Sequence, residues 1–185
     1  SREVSTETEL AGAALARCPR PARVLVGGLG LGYTAAALLA DPGVEKIVVA
    51  EIEGPLIDWA TAGLTPQLAA LAASPRVELR EQDIAAALES PGCYDAILLD
   101  VDNGPSFLVH PHNARLYADR PLSQAMSRLA PGGALSIWAA QREPELLRRL
   151  IRLCRSRRGW SADERVLPTE REGRMLDYFL YSVDR

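Results

Sequence analysis

Apolar residues in this chain gather into short runs, separated by longer stretches with helical spacing. The runs over 23–26, 46–50, 76–80, 94–99 and 134–139 are bounded by Gly, Pro, Asp or Glu. Near-continuous apolar runs of this length read as strands buried on both faces. Between them the pattern predicts helices. The first covers 5–17, with Thr6 and Glu9 at capping-box spacing. Others cover 35–40, a stretch opened by Pro55 and interrupted at Gly63 and Pro66 before 68–73, a short one from Asp83 to Leu88, 114–129 and 143–158. Val166 and Leu167, and residues 176–182, read as two final strands joined by the polar stretch 168–174. Strands that alternate with helices imply a parallel sheet with right-handed crossovers and helices on both faces. The last two strands have no helix between them and should pair as an antiparallel hairpin.

The first strand runs into Gly27-Gly28-Leu29-Gly30-Leu31-Gly32 and leaves as a helix. Glycines allow positive φ and close approach of backbone N–H groups to a ligand, and the helix start adds unpaired donors and a positive dipole end. In an open parallel sheet, ligands bind beyond the carboxyl ends of the strands where strand order reverses. The glycine turn, Glu51, Asp83 and Asp100 all fall at such ends. Glu51 lies about 20 residues past the glycines, the distance at which an acid meets ribose hydroxyls. Asp83 either reaches an adenine amino group or caps the helix that follows. Asp100 ends the apolar run Ala96-Ile97-Leu98-Leu99 and is placed to orient a cation or to take a proton from an amine or hydroxyl nucleophile. The glycines alone suit a sulfonium nucleoside. Gly30-x-Gly32-x-x-Ala35 also satisfies a relaxed dinucleotide fingerprint, so an NAD site stays open at this point.

The 185 residues fit a single domain, 1–185, whose first 20 residues form a helix expected to pack on or near the cofactor site. A net charge of −3 argues against a nucleic-acid partner, and no apolar run is long enough for a membrane span. Cys18, Cys93 and Cys154 lack metal-ligand spacing; free thiols of this kind suit a reducing, cytoplasmic setting. His110 and His112 flank Pro111 beside Asn113, and without a third ligand at a diagnostic spacing they suggest an acceptor loop rather than a metal site. The arginines at 148, 149, 152, 155, 157 and 158 read as a solvated helix face in an acidic chain.

With these residues in place, the chain resembles the spermidine synthase (polyamine aminopropyltransferase) branch of the class I S-adenosylmethionine-dependent methyltransferase superfamily. The likeness rests on Val24-Leu25-Val26-Gly27-Gly28, Pro42-Gly43-Val44-Glu45-Lys46-Ile47, Glu51-Ile52-Glu53, Tyr94-Asp95-Ala96-Ile97-Leu98-Leu99-Asp100, Leu129-Ala130-Pro131-Gly132-Gly133 and Leu167-Pro168-Thr169 with Gly173. It implies a Rossmann-like methyltransferase fold with a seven-stranded, mostly parallel sheet and an antiparallel C-terminal hairpin. It implies cofactor contacts at Gly27, Gly28, Gly30, Gly32, Glu51, Ile52, Asp83, Ile84 and Asp100. Asp100, Asn103 and Tyr117 are the expected catalytic residues, and Asp102, His110 and His112 the expected acceptor contacts, with no metal. The chain also departs from the branch. Aminopropyltransferases carry an acid where this chain has Gly30, a second acid where it has Asn103, and a tyrosine where it has Glu7. The acid missing at Gly30 holds the amine of decarboxylated S-adenosylmethionine and repels the carboxylate of the intact cofactor, so its loss removes a charge-based selection. Methyl transfer from S-adenosylmethionine to a small-molecule acceptor is therefore the expected reaction. Aminopropyl transfer from the decarboxylated form is the alternative, ahead of an NAD-dependent oxidoreductase or a non-catalytic binding protein. A homodimer is compatible with this reading.

Overall fold

The computed structural model describes residues 6–18, 20–101, 103–108, 111–171 and 173–185. Asp102 and His110 fall outside the described residues, as does the side chain of His112. Seven strands, β1 (Arg23–Gly27), β2 (Lys46–Glu51), β3 (Val77–Glu81), β4 (Tyr94–Leu99), β5 (Leu129–Ala139), β6 (Ser161–Arg171) and β7 (Arg174–Asp184), form one sheet in the order β3-β2-β1-β4-β5-β7-β6. The first five strands are parallel, and β7 runs antiparallel to both of its neighbours.

Strand parity divides the core. Leu25, Val48, Ile97, Leu99, Leu135 and Ile137 face α5 (Ile84–Glu89), α6 (Asp119–Ser127) and α7 (Pro144–Arg155). Val24, Val26, Ile47, Val49, Ala96 and Leu98 face α1 (Thr6–Arg17), α2 (Tyr33–Ala40), α3 (Gly54–Thr61) and α4 (Pro66–Ala73). Both faces of the central strands are covered, which is why their sequences show runs rather than alternation. α1 is fastened to the far edge of the sheet: Arg17 pairs with Asp163 at 2.8 Å and Asp184 at 2.6 Å, and Glu9 pairs with Arg165 at 2.8 Å. Glu9 thus turns to β6 rather than completing a capping box with Thr6.

Three expected elements differ. The helix expected over 114–129 is a 3-10 helix, Pro111–Tyr117, followed by α6. Ala118 is extended between them (φ −78°, ψ 162°), and Pro121 is tolerated only because it falls in the first turn of a new helix, where N–H groups have no helical partner. β5 includes Pro131-Gly132-Gly133 instead of starting after it. The register of β4 and β5 shifts between Tyr94 and Ala96, and a Cβ on Gly133 would lie 2.8 Å from the Asp95 carbonyl oxygen. The terminal hairpin is much longer than expected, eleven residues in each strand. β5 stops at the Ala139–Phe179 pair, so the part of β7 from Arg174 to Tyr178 pairs with β6 alone and overhangs the sheet. Its outer part, 174–177, is exposed at every position and so has no reason to carry strand periodicity.

Of the arginines on and just past α7, Arg148 and Arg152 are exposed and pair with Glu145 and Asp119, Arg149 also pairs with Asp119, and Arg157, beyond the helix, donates to Ser123.

Candidate active site

Strand order reverses between β1 and β4, and the loops leaving these two strands enclose the candidate site. The Asp100 amide donates to the Gly27 carbonyl at 2.9 Å and the Gly28 amide to the Ala50 carbonyl at 2.9 Å, so three strand ends are laced together. Gly28 has φ +92°, and a Cβ there would sit 2.2 Å from the Asp100 carbonyl oxygen. No other residue fits. Gly30 also has a positive φ, +49°, but a Cβ there would meet nothing within 4 Å. The loop needs glycine at Gly28 for space and at Gly30 only for backbone conformation. Among the described residues nothing accepts from the amides of Gly30 and Leu31. They add to the unpaired donors at the start of α2.

Glu51 is 6% exposed, and both of its oxygens are engaged. Oε2 accepts from the Leu29 amide at 2.7 Å and Oε1 from the Glu53 amide at 2.9 Å. The carboxylate therefore holds the glycine loop in shape, and each oxygen keeps a second lone pair for a ligand hydroxyl. Ile52 beside it is exposed. Ile84 is buried against Gly27, where a Cβ would come within 2.8 Å of it. Asp83 caps α5 through the Ala85 amide at 2.8 Å and pairs with Arg115. Those bonds are the helix-cap reading of Asp83, and they engage both of its oxygens.

Asp100 has a different environment. It accepts from the Thr34 hydroxyl at 2.6 Å, and its carboxyl is pushed up to about 6 from an ordinary 3.8. Desolvation is the main cause, the Thr34 hydrogen bond works against it, and the nearby Glu7 carboxylate adds to it. Thr34 Oγ1 also lies 3.4 Å from the Glu7 carbonyl oxygen, so α1, α2 and β4 meet at one hydroxyl. Glu7, Leu29, Gly30, Tyr33, Asp100, Asn103 and Trp138 line a cleft of about 190 Å³. The buried indole N–H of Trp138 has no acceptor among the described residues.

Of the expected catalytic residues, the cleft brings together Asp100 and Asn103. Tyr117 is 2% exposed and does not line it. Its hydroxyl donates to the Val101 carbonyl at 2.9 Å, which steadies the chain just past Asp100. Two residues have roles the sequence does not show: Glu7 is marked there only as standing where the branch has a tyrosine, and Glu143 is not marked as a site residue at all. Glu7 enters the cleft from α1, about 90 residues before Asp100 in the chain, and helical spacing gives no hint that it faces an acid. Glu143, 5% exposed, accepts from both the amide and the hydroxyl of Ser106, at 3.0 and 2.8 Å. Its own amide donates to the Tyr181 hydroxyl at 2.5 Å, and that hydroxyl donates to Glu164 at 3.1 Å. Burial pushes the Tyr181 phenol well above its ordinary value. Glu143 therefore latches the turn that carries Asn103. The only sequence signal for it is a lone acid before Pro144, which reads as an ordinary helix start.

No protein-family model matches the chain. Putrescine N-methyltransferase 3 of Nicotiana tabacum is 33% identical over 151 residues, covering 76% of this chain and 36% of that protein. The polyamine aminopropyltransferase of Mycobacterium tuberculosis is 32% identical over 120 residues, covering 63% of this chain and 22% of that protein. The chain thus spans about a third or less of the length of these relatives. Solved spermidine synthases, one from Thermotoga maritima and one in complex with the transition-state analogue AdoDATO, superpose with TM-score 0.73 at 20% identity, covering 97% of this chain and 59% of theirs. By its sequence relatives and by its fold, the chain matches the spermidine synthase-like branch of the class I S-adenosylmethionine-dependent methyltransferase superfamily.

Proposed function

We propose that this chain binds S-adenosylmethionine and transfers its methyl group to the nitrogen of a small-molecule amine. The observation that carries the choice of donor is the loop at Gly30. It has open space where its aminopropyltransferase relatives are expected to hold an acid, and it offers the unpartnered amides of Gly30 and Leu31 beside the start of α2. Such a site favours an anionic carboxylate, which the intact cofactor has and the decarboxylated form lacks. The lining fits such a ligand, because the amides of Gly30 and Leu31 and the buried indole N–H of Trp138 find no acceptor among the described residues. Glu51 would hold the ribose through its remaining lone pairs and Ile84 would lie toward the base, while Asp83 stays with its helix cap and Arg115. When bound, S-adenosylmethionine supplies a methyl group already activated on a sulfonium, which departs as a neutral thioether.

Positioning by the chain then supplies most of the acceleration. Asp100 takes the proton that the acceptor nitrogen gives up, and its raised pKa makes it a better base near neutrality. Glu7 adds a second negative charge, and among the described residues no Lys or Arg lines the cleft, so a cationic amine is drawn in and oriented. Asn103 lines the same cleft. Asp102, His110 and His112 remain candidates for the acceptor side.

Aminopropyl transfer is the second reading. The observation in its favour is Glu7, a carboxylate in the cleft that could hold a donor amine in place of the acid missing at Gly30. Calorimetric titration with S-adenosylmethionine, its decarboxylated form, 5′-methylthioadenosine and NAD separates the readings. Tightest binding of S-adenosylmethionine is expected. Preference for the decarboxylated form would establish aminopropyl transfer instead, and binding of NAD alone would overturn both.

A further inference from the structure

The cleft at Asp100 is only about 190 Å³, below the ~300–1,000 Å³ of ordinary small-molecule sites. Across Asn103 lies a second hollow of about 290 Å³, lined by Phe107, Ala140, Gln141, Leu176, Asp177 and Tyr178. Asn103 lines both cavities. So does a stacked aromatic pair, with Trp138 on the cleft side and Tyr178 on the groove side, ring centroids 5.5 Å apart at 25°. Trp138 pairs with Leu180 across β5 and β7, so by strand parity Leu176 and Tyr178 project to the same face as Trp138, the face that carries α1. The two hollows are neighbours on one side of the sheet.

The partition between them is held in place. The Ala140 amide donates to the Asn103 carbonyl at 3.0 Å, the Asn103 amide to the Phe107 carbonyl at 3.2 Å, and Glu143 holds Ser106. Yet the walls beyond the partition are wet. Phe107 is 59% exposed and Leu176 42% exposed, because the ribbon overhangs the end of β5. Among the described residues no basic side chain lines the groove, and Asp177 is its one acid. An anionic tail would find no cation there among the described residues and a cationic one only Asp177, whereas an apolar tail would take Phe107 and Leu176 out of water.

We propose that this groove is the tail subsite of the acceptor: a small amine with its nitrogen in the Asp100 cleft and an apolar chain or ring that passes Asn103 and covers Leu176 and Phe107. The chemistry at nitrogen rests on the methyl-transfer reading, while occupancy of the groove does not. The test uses n-alkylamines from propyl to octyl, with putrescine as the acceptor whose far end is charged. Turnover by the full chain is measured with saturating S-adenosylmethionine. Binding is measured separately by quenching of Trp138 in a Trp59→Phe/Trp160→Phe background. We expect kcat/KM and affinity to rise about fourfold per added methylene until the groove is full, and octylamine to exceed putrescine. Leu176→Asp and Phe107→Ser, both at exposed positions, should flatten the rise. Graded quenching without methylation would uphold the groove and overturn methyl transfer. Methylation without chain-length dependence, or with a rise that neither variant flattens, would overturn the groove and leave methyl transfer standing. Neither methylation nor graded quenching would overturn both.

Discussion

Asp83 and Asp100 stand just past parallel strands on the same edge of the sheet, but their carboxylates have different company. Asp83 caps α5 with one oxygen and pairs with Arg115 through the other. Asp100 lies under α1 with one hydroxyl donor, a second carboxylate nearby and a pKa near 6. An acid with a cap and a cation to hold is satisfied by its own fold. One that is desolvated with no cation beside it among the described residues costs stability, the cost a ligand-binding acid is expected to carry.

The largest effect that would break this contrast is at Asp100. Asp100→Asn should lower methyl transfer by about 10²–10⁴-fold, the usual contribution of a positioned base. Activity of the native chain should rise with pH through about 6, as Asp100 loses its proton. Stability should move the other way. The folded carboxyl titrates at about 6 and the unfolded one near 3.8, so the folded chain holds the proton more tightly and loses stability as pH climbs between these values. Thermal melts should therefore show Asp100→Asn stabilised at pH 7.5, by at most about 3 kcal/mol, and unchanged below pH 4. A variant that is inactive and destabilised at both would make Asp100 a structural acid like Asp83.

Next come the glycines over Asp100. Gly28→Ala forces a Cβ to 2.2 Å from a carbonyl oxygen and should cost about 3 kcal/mol or more in denaturant unfolding. Gly30→Asp meets open space and should cost only about 1 kcal/mol. It should also shift donor preference toward the decarboxylated form by tenfold or more in calorimetry, since it restores the acid that selects against a carboxylate. An unshifted preference would mean that the donor chain does not pass Gly30.

Glu143→Gln should cost about 1–3 kcal/mol. It should raise KM for the acceptor more than it lowers kcat, because it loosens the Asn103 turn and leaves the cofactor loop alone. Equal effects on donor and acceptor would make Glu143 merely structural. The smallest effect is expected from Asp83→Ala, about 0.5–2 kcal/mol of stability from the lost cap. A large loss of cofactor affinity at full stability would put Asp83 beside the base and erase its contrast with Asp100.

Much of the parallel half of the molecule was legible because its physics is local. Apolar runs such as Ala96-Ile97-Leu98-Leu99 can only be buried strands, and the glycines after β1 and the acids after β2 and β4 mark the carboxyl edge without any three-dimensional knowledge. The hairpin was harder. Thr169, Glu170 and Met175 pair in an overhanging ribbon whose outer part, exposed throughout 174–177, imposes no pattern. Tyr117, a few residues past His112 and Asn113, had the look of a site residue, yet its ring is in the core and its hydroxyl serves the Val101 carbonyl.

The sequence by itself determined the alternation of strands and helices, the glycine turn, the strand-end acids and the absence of an acid at Gly30, because each follows from residue type and short-range spacing. Tertiary structure decided which acid is satisfied and which is poised. Whether Asp83 meets Arg115, whether Asp100 meets Glu7, and whether Glu143 reaches Ser106 depend on contacts between residues 32 to 93 positions apart in the chain. Desolvation and charge act through space, and no spacing along the chain encodes them.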